Sequence, residues 1–152
     1  MWRDALLGYI HFVAIFTLFA CLAVEWSLLG AGVERLDPRR LVRADLGYLI
    51  AAIAVLASGL ARALAGAKPW VFYAGNPGFH LKLGLFVLVG LVSIAPTVAF
   101  LRWRRAAAAD ANFRVAPDAW RCARRLVLIE LHLVAAIPLL AALMARGIGL
   151  SG

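Results

Sequence analysis

Four stretches of this sequence run for about 20 residues or more with few interrupting charges: residues 4–29, 45–65, 79–101 and 123–146. A helix needs about 20 apolar residues to cross the hydrocarbon core of a bilayer, so each stretch is long enough to do so. Composition agrees. The chain is 64% hydrophobic and 16% charged, with a mean hydropathy of +0.89, whereas soluble domains are about 45–50% apolar. The expectation is an all-α integral membrane four-helix bundle, a single domain over residues 1–152. Short connections leave no room for a soluble catalytic domain.

The first stretch, "MWRDALLGYIHFVAIFTLFAC", ends in a loose lipobox-like Leu18-Phe19-Ala20-Cys21. Asp4 offsets Arg3 in the leading region, and the apolar run exceeds the 7–15 residues usual for a signal peptide, so it is expected to stay as a helix. Cys21 and Cys122 form no CxxC pattern and imply neither a disulfide framework nor a zinc site. Glycine and proline in "AGVERLDPRR" end the first helix, and "AGAKPWVFYAGNPG" ends the second. "VAPDAW" reads as a loop with a helix start at Pro117 and Asp118, and "RRAAAADANF" can extend the third helix because alanine favours it. Trp2, Trp70, Tyr73 and Trp103 fall near the interfaces, as an aromatic belt does.

Eleven basic residues lie in two connections, Arg35, Arg39, Arg40 and Arg43 in one and Arg102, Arg104, Arg105, Arg114, Arg121, Arg124 and Arg125 in the other. Five, namely Arg3, Arg62, Lys68, Lys82 and Arg146, belong to the opposite side. The positive-inside rule then places both Arg-rich loops in the cytoplasm and both termini outside. The net charge of +8 is accounted for by arginines facing an anionic leaflet, with no need for nucleic acid.

An ionisable side chain costs at least about 2.5 kcal/mol at the bilayer centre unless it is paired or faces the bundle interior, so the few present carry the functional information. His11, His80, Arg62 and Lys82 are expected in the outer half; Glu25, Glu130 and His132 lie toward the cytoplasm. A helix turns about 100° per residue, so His11, Ala14, Leu18, Cys21 and Glu25 share one inward stripe. Two residues apart are about 200° apart. If His80 faces the bundle, leading a stripe through Gly84, Val87 and Leu91, then Lys82 faces away and snorkels to the surface. Glu130 and His132 are likewise opposed. Two histidines at one depth on different helices are a candidate axial pair for a haem iron, with Arg62 and Lys82 available for the propionates. The alternative for each histidine is a simple interhelical hydrogen bond, and for Glu25 an ion pair with a loop arginine such as Arg43.

The stretch "NPGFHLKLGLFVLVGLVSIAPTVAFLRWRR", together with "HFVAIFTLFACLAVE", resembles a family of small bacterial four-helix membrane proteins catalogued as a domain of unknown function. The resemblance covers nearly the whole chain. "GFHLKLGLFVLVG" and the position of His11 are also distantly similar to the haem-dependent membrane protoporphyrinogen IX oxidase and the copper-resistance membrane domain grouped with it. That likeness implies haem ligation by His11 and His80, with Lys82 beside them. The oxidase's Trp-Phe-Ala-Gly-Leu stretch and its Asn-Glu-Pro motif are not matched, so the likeness does not carry the oxidase activity.

Three functions follow as expectations. The first is a b-type haem protein with a redox role toward a quinone or porphyrin partner, in which Glu25 or Glu130 relays protons. The second is a proton- or cation-handling transporter using Glu25, Glu130 and His132, which as four short helices would assemble as a homo-oligomer. Cu(I) suits it poorly, because soft ligands are few. The third is a structural or assembly subunit without a cofactor.

Overall fold

A computed structural model describes residues 2–65 and 70–145, apart from the side chains of Phe72, Tyr73, Met144 and Ala145. Its helices are α1 (Trp2–Gly30), α2 (Pro38–Ala65), α3 (Trp70–Ala74), α4 (Pro77–Ala109) and α5 (Pro117–Ala145), with a 3-10 turn at Val33–Arg35. Four of them, α1, α2, α4 and α5 through Leu143, are 27 to 33 residues long and apolar enough to cross a membrane. The described residues contain no strand.

Local chemistry sets where the helices begin. Asp37 accepts a hydrogen bond from the Arg39 N–H at 2.9 Å, with Pro38 as the first residue of α2. Asn76 does the same for the Gly78 N–H at 2.9 Å, with Pro77 opening α4. Both are a side-chain cap followed by a proline whose missing N–H costs nothing at that place. Consequently α2 starts seven residues before the apolar run does, and it takes Arg39, Arg40, Arg43 and Asp45 into its first turns. The alanine-rich stretch extends α4 to Ala109, and α5 starts at Pro117, both as expected. Short α3 forms within a segment expected to be loop.

Around the bundle, α1 packs on α2 and α5, and α4 packs on the same two, so α1 and α4 are diagonal. Each helix contributes one buried stripe: Leu18, Leu22, Glu25 and Leu29 from α1; Leu41, Asp45, Tyr48 and Ala51 from α2; Val89, Pro96, Phe100 and Trp103 from α4; Ala123, Val127, Glu130 and Val134 from α5. The spacing of three and four is that of one helical face. Outward faces are as apolar as the core, with Tyr9, Phe16, Ile53, Leu64 and Leu91 all exposed, which is stable only where lipid covers them. Trp103 departs from the expected belt; it is buried against Phe100, ring centroids 5.7 Å apart. Trp2 is exposed, and Tyr73, Lys68 and Arg146 lie outside the described side chains.

Glycines let α1 and α2 approach closely. A Cβ on Gly47 would stand 3.0 Å from Cys21 Sγ, and one on Gly59 would stand 3.2 Å from His11 Cε1. At the other side of α1, Trp120 Nε1 donates to the Leu29 carbonyl at 3.0 Å, tying α5 to the end of α1. Gly84, by contrast, faces open space. Gly47→Ala is therefore expected to destabilise the detergent-solubilised protein by about 1–3 kcal/mol through overpacking. Adding Cys21→Ala should recover most of the loss, and Gly84→Ala should have no such effect. Thermal unfolding followed by circular dichroism measures all three; a Gly47→Ala protein as stable as wild type contradicts the close packing.

Candidate functional site

Each of three core stripes has a carboxylic acid where a hydrophobe would complete it. Glu25 sits between Leu22 and Leu29, Asp45 between Leu41 and Tyr48, and Glu130 between Val127 and Val134. They are 2%, 7% and 1% exposed. Glu25 is within electrostatic reach of both other acids, and Glu130 is within reach of Asp45. The Tyr48 phenol is within reach of all three.

The partners of this cluster are few. Thr97 Oγ1 on α4 donates to Asp45 Oδ1 at 2.7 Å. Oε1 of Glu25 and Oε1 of Glu130 are buried without a hydrogen-bond partner. Among the described residues the ion pairs are Arg40 with Asp37 and Arg121 with Asp118, both exposed, so no cation is paired with the cluster. Arg43, the expected partner of Glu25, is exposed and makes no ion pair with it. Arg124 turns elsewhere, its guanidinium 4.6 Å from the Trp26 ring centroid and 5.7 Å from that of Trp120. Nor do three His, Cys, Asp or Glu side chains among the described residues converge closely enough to chelate a metal ion.

A cleft of about 260 Å³ lies between α2 and α4 beside the cluster. Leu49, Phe86, Val89 and Ile94 are among its apolar lining, and Tyr48, Ser93 and Thr97 supply hydroxyls. It opens on the side of the bundle, where lipid would be, and Tyr48 and Thr97 connect it to the acids.

The histidines are placed differently from one another. His11, half-buried, turns toward α2, where its Nδ1 is 2.9 Å from Ser58 Oγ. The Ser58 hydroxyl already donates to the Ala54 carbonyl at 2.5 Å, so Nδ1 is the donor in the pair and Nε2 is left as an acceptor. His80 is exposed and directs Nδ1 to the Asn76 carbonyl at 3.0 Å, which fixes the same tautomer. His132 is exposed, with Nδ1 2.7 Å from the Leu128 carbonyl.

The orientation expected for α4 is reversed. His80, Gly84, Val87 and Leu91 form an outward stripe, all exposed, while Lys82 is half-buried within electrostatic reach of Arg62 and His11. The reason is register: the buried face of α4 runs back from Trp103 through Phe100, Pro96 and Val89, and the same spacing reaches Lys82. The two residues are about 200° apart, so His80 must point away. His11 and Glu25 do share the inward stripe with Ala14 and Leu18, and Glu130 rather than His132 faces the core.

Asp45 is the site residue that the sequence reading lacked. It stands at the first position of an apolar run and so looks like a boundary residue. The signal was the Asp37-Pro38 pair upstream, a helix start that puts Asp45 two turns inside α2.

No curated protein and no solved structure matches the chain. The family model described as predicted membrane protein (DUF2214) matches residues 3–149. With almost its whole length covered and four helices able to cross a membrane, the chain belongs to the DUF2214 family of membrane proteins.

Proposed function

We propose that this membrane protein handles protons, and that Glu25, Asp45 and Glu130 are its exchange site. The observation that carries the reading is that three acids from three helices share one buried region with no cation and two unpartnered oxygens. Three carboxylates cannot stand together fully ionised in a low-dielectric interior. Protons or a bound cation must balance them, and the absence of a chelating arrangement among the described residues favours protons. Thr97 gives Asp45 the donor that a carboxylate needs. Oε1 of Glu25 and Oε1 of Glu130 lack one, so each is where a proton adds most.

A purely structural role would be an expensive use of these residues. Replacing buried charged groups by neutral ones of similar size is often neutral or stabilising, and natural proteins retain such groups where function requires them. His132 has no part in this path, because it faces outward. The cleft between α2 and α4 gives water or a small amphiphile a lateral approach through Tyr48 and Thr97.

A second reading, a b-type haem protein acting on a quinone or porphyrin, is supported by the histidine tautomers. Both His11 and His80 hold Nδ1 in a hydrogen bond and offer Nε2, the usual state of an imidazole that ligates a metal. In that case His11 and His80 would be the residues to hold the iron, Arg62 and Lys82 would be available to the propionates, and haem would supply one-electron chemistry. The two histidines are on diagonal helices, one half-buried and one exposed, and this is why the carboxyl reading stands first.

Two measurements separate these. In proteoliposomes with an internal pH dye and an imposed potential, wild-type protein should dissipate the proton gradient, and Glu25→Gln or Glu130→Gln should slow it at least tenfold, leaving His132→Ala unaffected. Glu130→Gln should at the same time fold as stably as wild type in detergent, because a neutral amide of the same shape replaces a protonated acid. Vesicles no leakier than protein-free ones overturn the reading. For haem, protein purified from haem-replete cells should show a Soret band that His11→Ala with His80→Ala abolishes; a colourless preparation sinks it.

A further inference from the structure

At the opposite end of the bundle, where α1 begins and α5 ends, the structure holds a cluster of the other sign. Arg62 of α2 lies against α1 at Gly8, its guanidinium carbon at contact distance, 3.9 Å, from where a Cβ on that glycine would stand. Lys82 of α4 is half-buried within electrostatic reach of Arg62, and half-buried His11 of α1 is within reach of both. Three helices thus direct basic groups into one region.

Among the described residues no carboxylate forms an ion pair with them. The ion pairs among the described residues are both at the starts of α2 and α5, at the far end. Asp4, the acid nearest in sequence, is exposed and forms no ion pair. Glu25 is 14 residues along α1 from His11, about 21 Å at 1.5 Å per residue, too far to neutralise the group. Arg39, Arg43, Arg104 and Arg105, which border a groove at the far end, are exposed and solvated. Half-burying Arg62 and Lys82 side by side costs solvation and adds repulsion, and both costs fall when an anion sits between them. An arginine fork and a lysine point charge together suit the oxygens of a phosphate group.

We infer that Arg62 and Lys82, with His11 beside them, form a binding site for a phosphate anion at this end of the membrane domain. The phosphate comes either from the headgroup of an anionic lipid or from a free phosphate in solution. The inference depends on neither the carboxyl cluster nor haem.

The test uses the full chain purified in detergent. Native mass spectrometry in mixed micelles of phosphatidylglycerol and phosphatidylcholine reads the lipid source; thermal unfolding with inorganic phosphate reads the soluble one. A lipid site retains phosphatidylglycerol over phosphatidylcholine at least tenfold. A soluble-anion site shows no such preference but gains several degrees in unfolding temperature with millimolar phosphate. In either case Arg62→Gln with Lys82→Gln should abolish the effect, and Arg104→Gln with Arg105→Gln should not. Arg62→Lys, which keeps the charge, should retain it, and a merely misfolded variant would not be rescued this way. Wild-type protein that responds in neither arm, or a double variant that responds as wild type does, overturns the inference.

Discussion

Lipid is as apolar as leucine, so helices that meet inside a bilayer gain little from the hydrophobic effect and must be held by close contact and a few cross-helix hydrogen bonds. This bundle is built on that constraint. Gly47 against Cys21 and Gly59 against His11 bring α1 onto α2. Trp120 to the Leu29 carbonyl joins α5 to α1, and Thr97 to Asp45 joins α4 to α2. The same contacts that hold the helices therefore position the polar residues: His11 is both a packing surface and a hydrogen-bond donor to Ser58, and Asp45 is both an anchor and a member of the acid cluster.

The polar residues fall into two groups of opposite sign, separated along the bundle. Acids from α1, α2 and α5 occupy core positions toward the Arg-rich connections, while Arg62, Lys82 and His11 gather near the termini. The arginines of the connections solvate themselves or stack on tryptophan, as Arg124 does on Trp26 and Trp120, and they leave the acids unneutralised. Such separation is costly in a low-dielectric core. It gives each end of the membrane domain its own chemistry.

How much of this was legible in the sequence follows from what the bilayer does to sequence signals. Four helices were plain from length alone, and the break containing Asn76-Pro77 and the helix start at Pro117 were readable as punctuation. The inward face of α1 was legible because His11 and Glu25 are both costly to expose and lie on one stripe. The face of α4 was not, because a membrane helix is apolar on its lipid side as well as its core side, so periodicity carries little information there. Small neighbours around His80 suggested a core position, yet Gly84 faces open space. Asp45 was hidden by the convention that a span begins where charges end; the cap at Asp37 begins α2 earlier. The adjacency of helices, and with it the meeting of three acids, is a tertiary fact that no local pattern encodes.

The connections between α1 and α2 and between α4 and α5 are short, so the bundle consists of two hairpins laid side by side. Glu25 and Asp45 belong to one hairpin and Glu130 to the other. Any change in the charge of the cluster is therefore felt as a force across the seam between two semi-independent halves. Thr97, on the second hairpin, bridges that seam to Asp45 one residue after Pro96, where α4 lacks a backbone donor and bends most easily. Loading and unloading the acids would act on the spacing of the two hairpins across that seam.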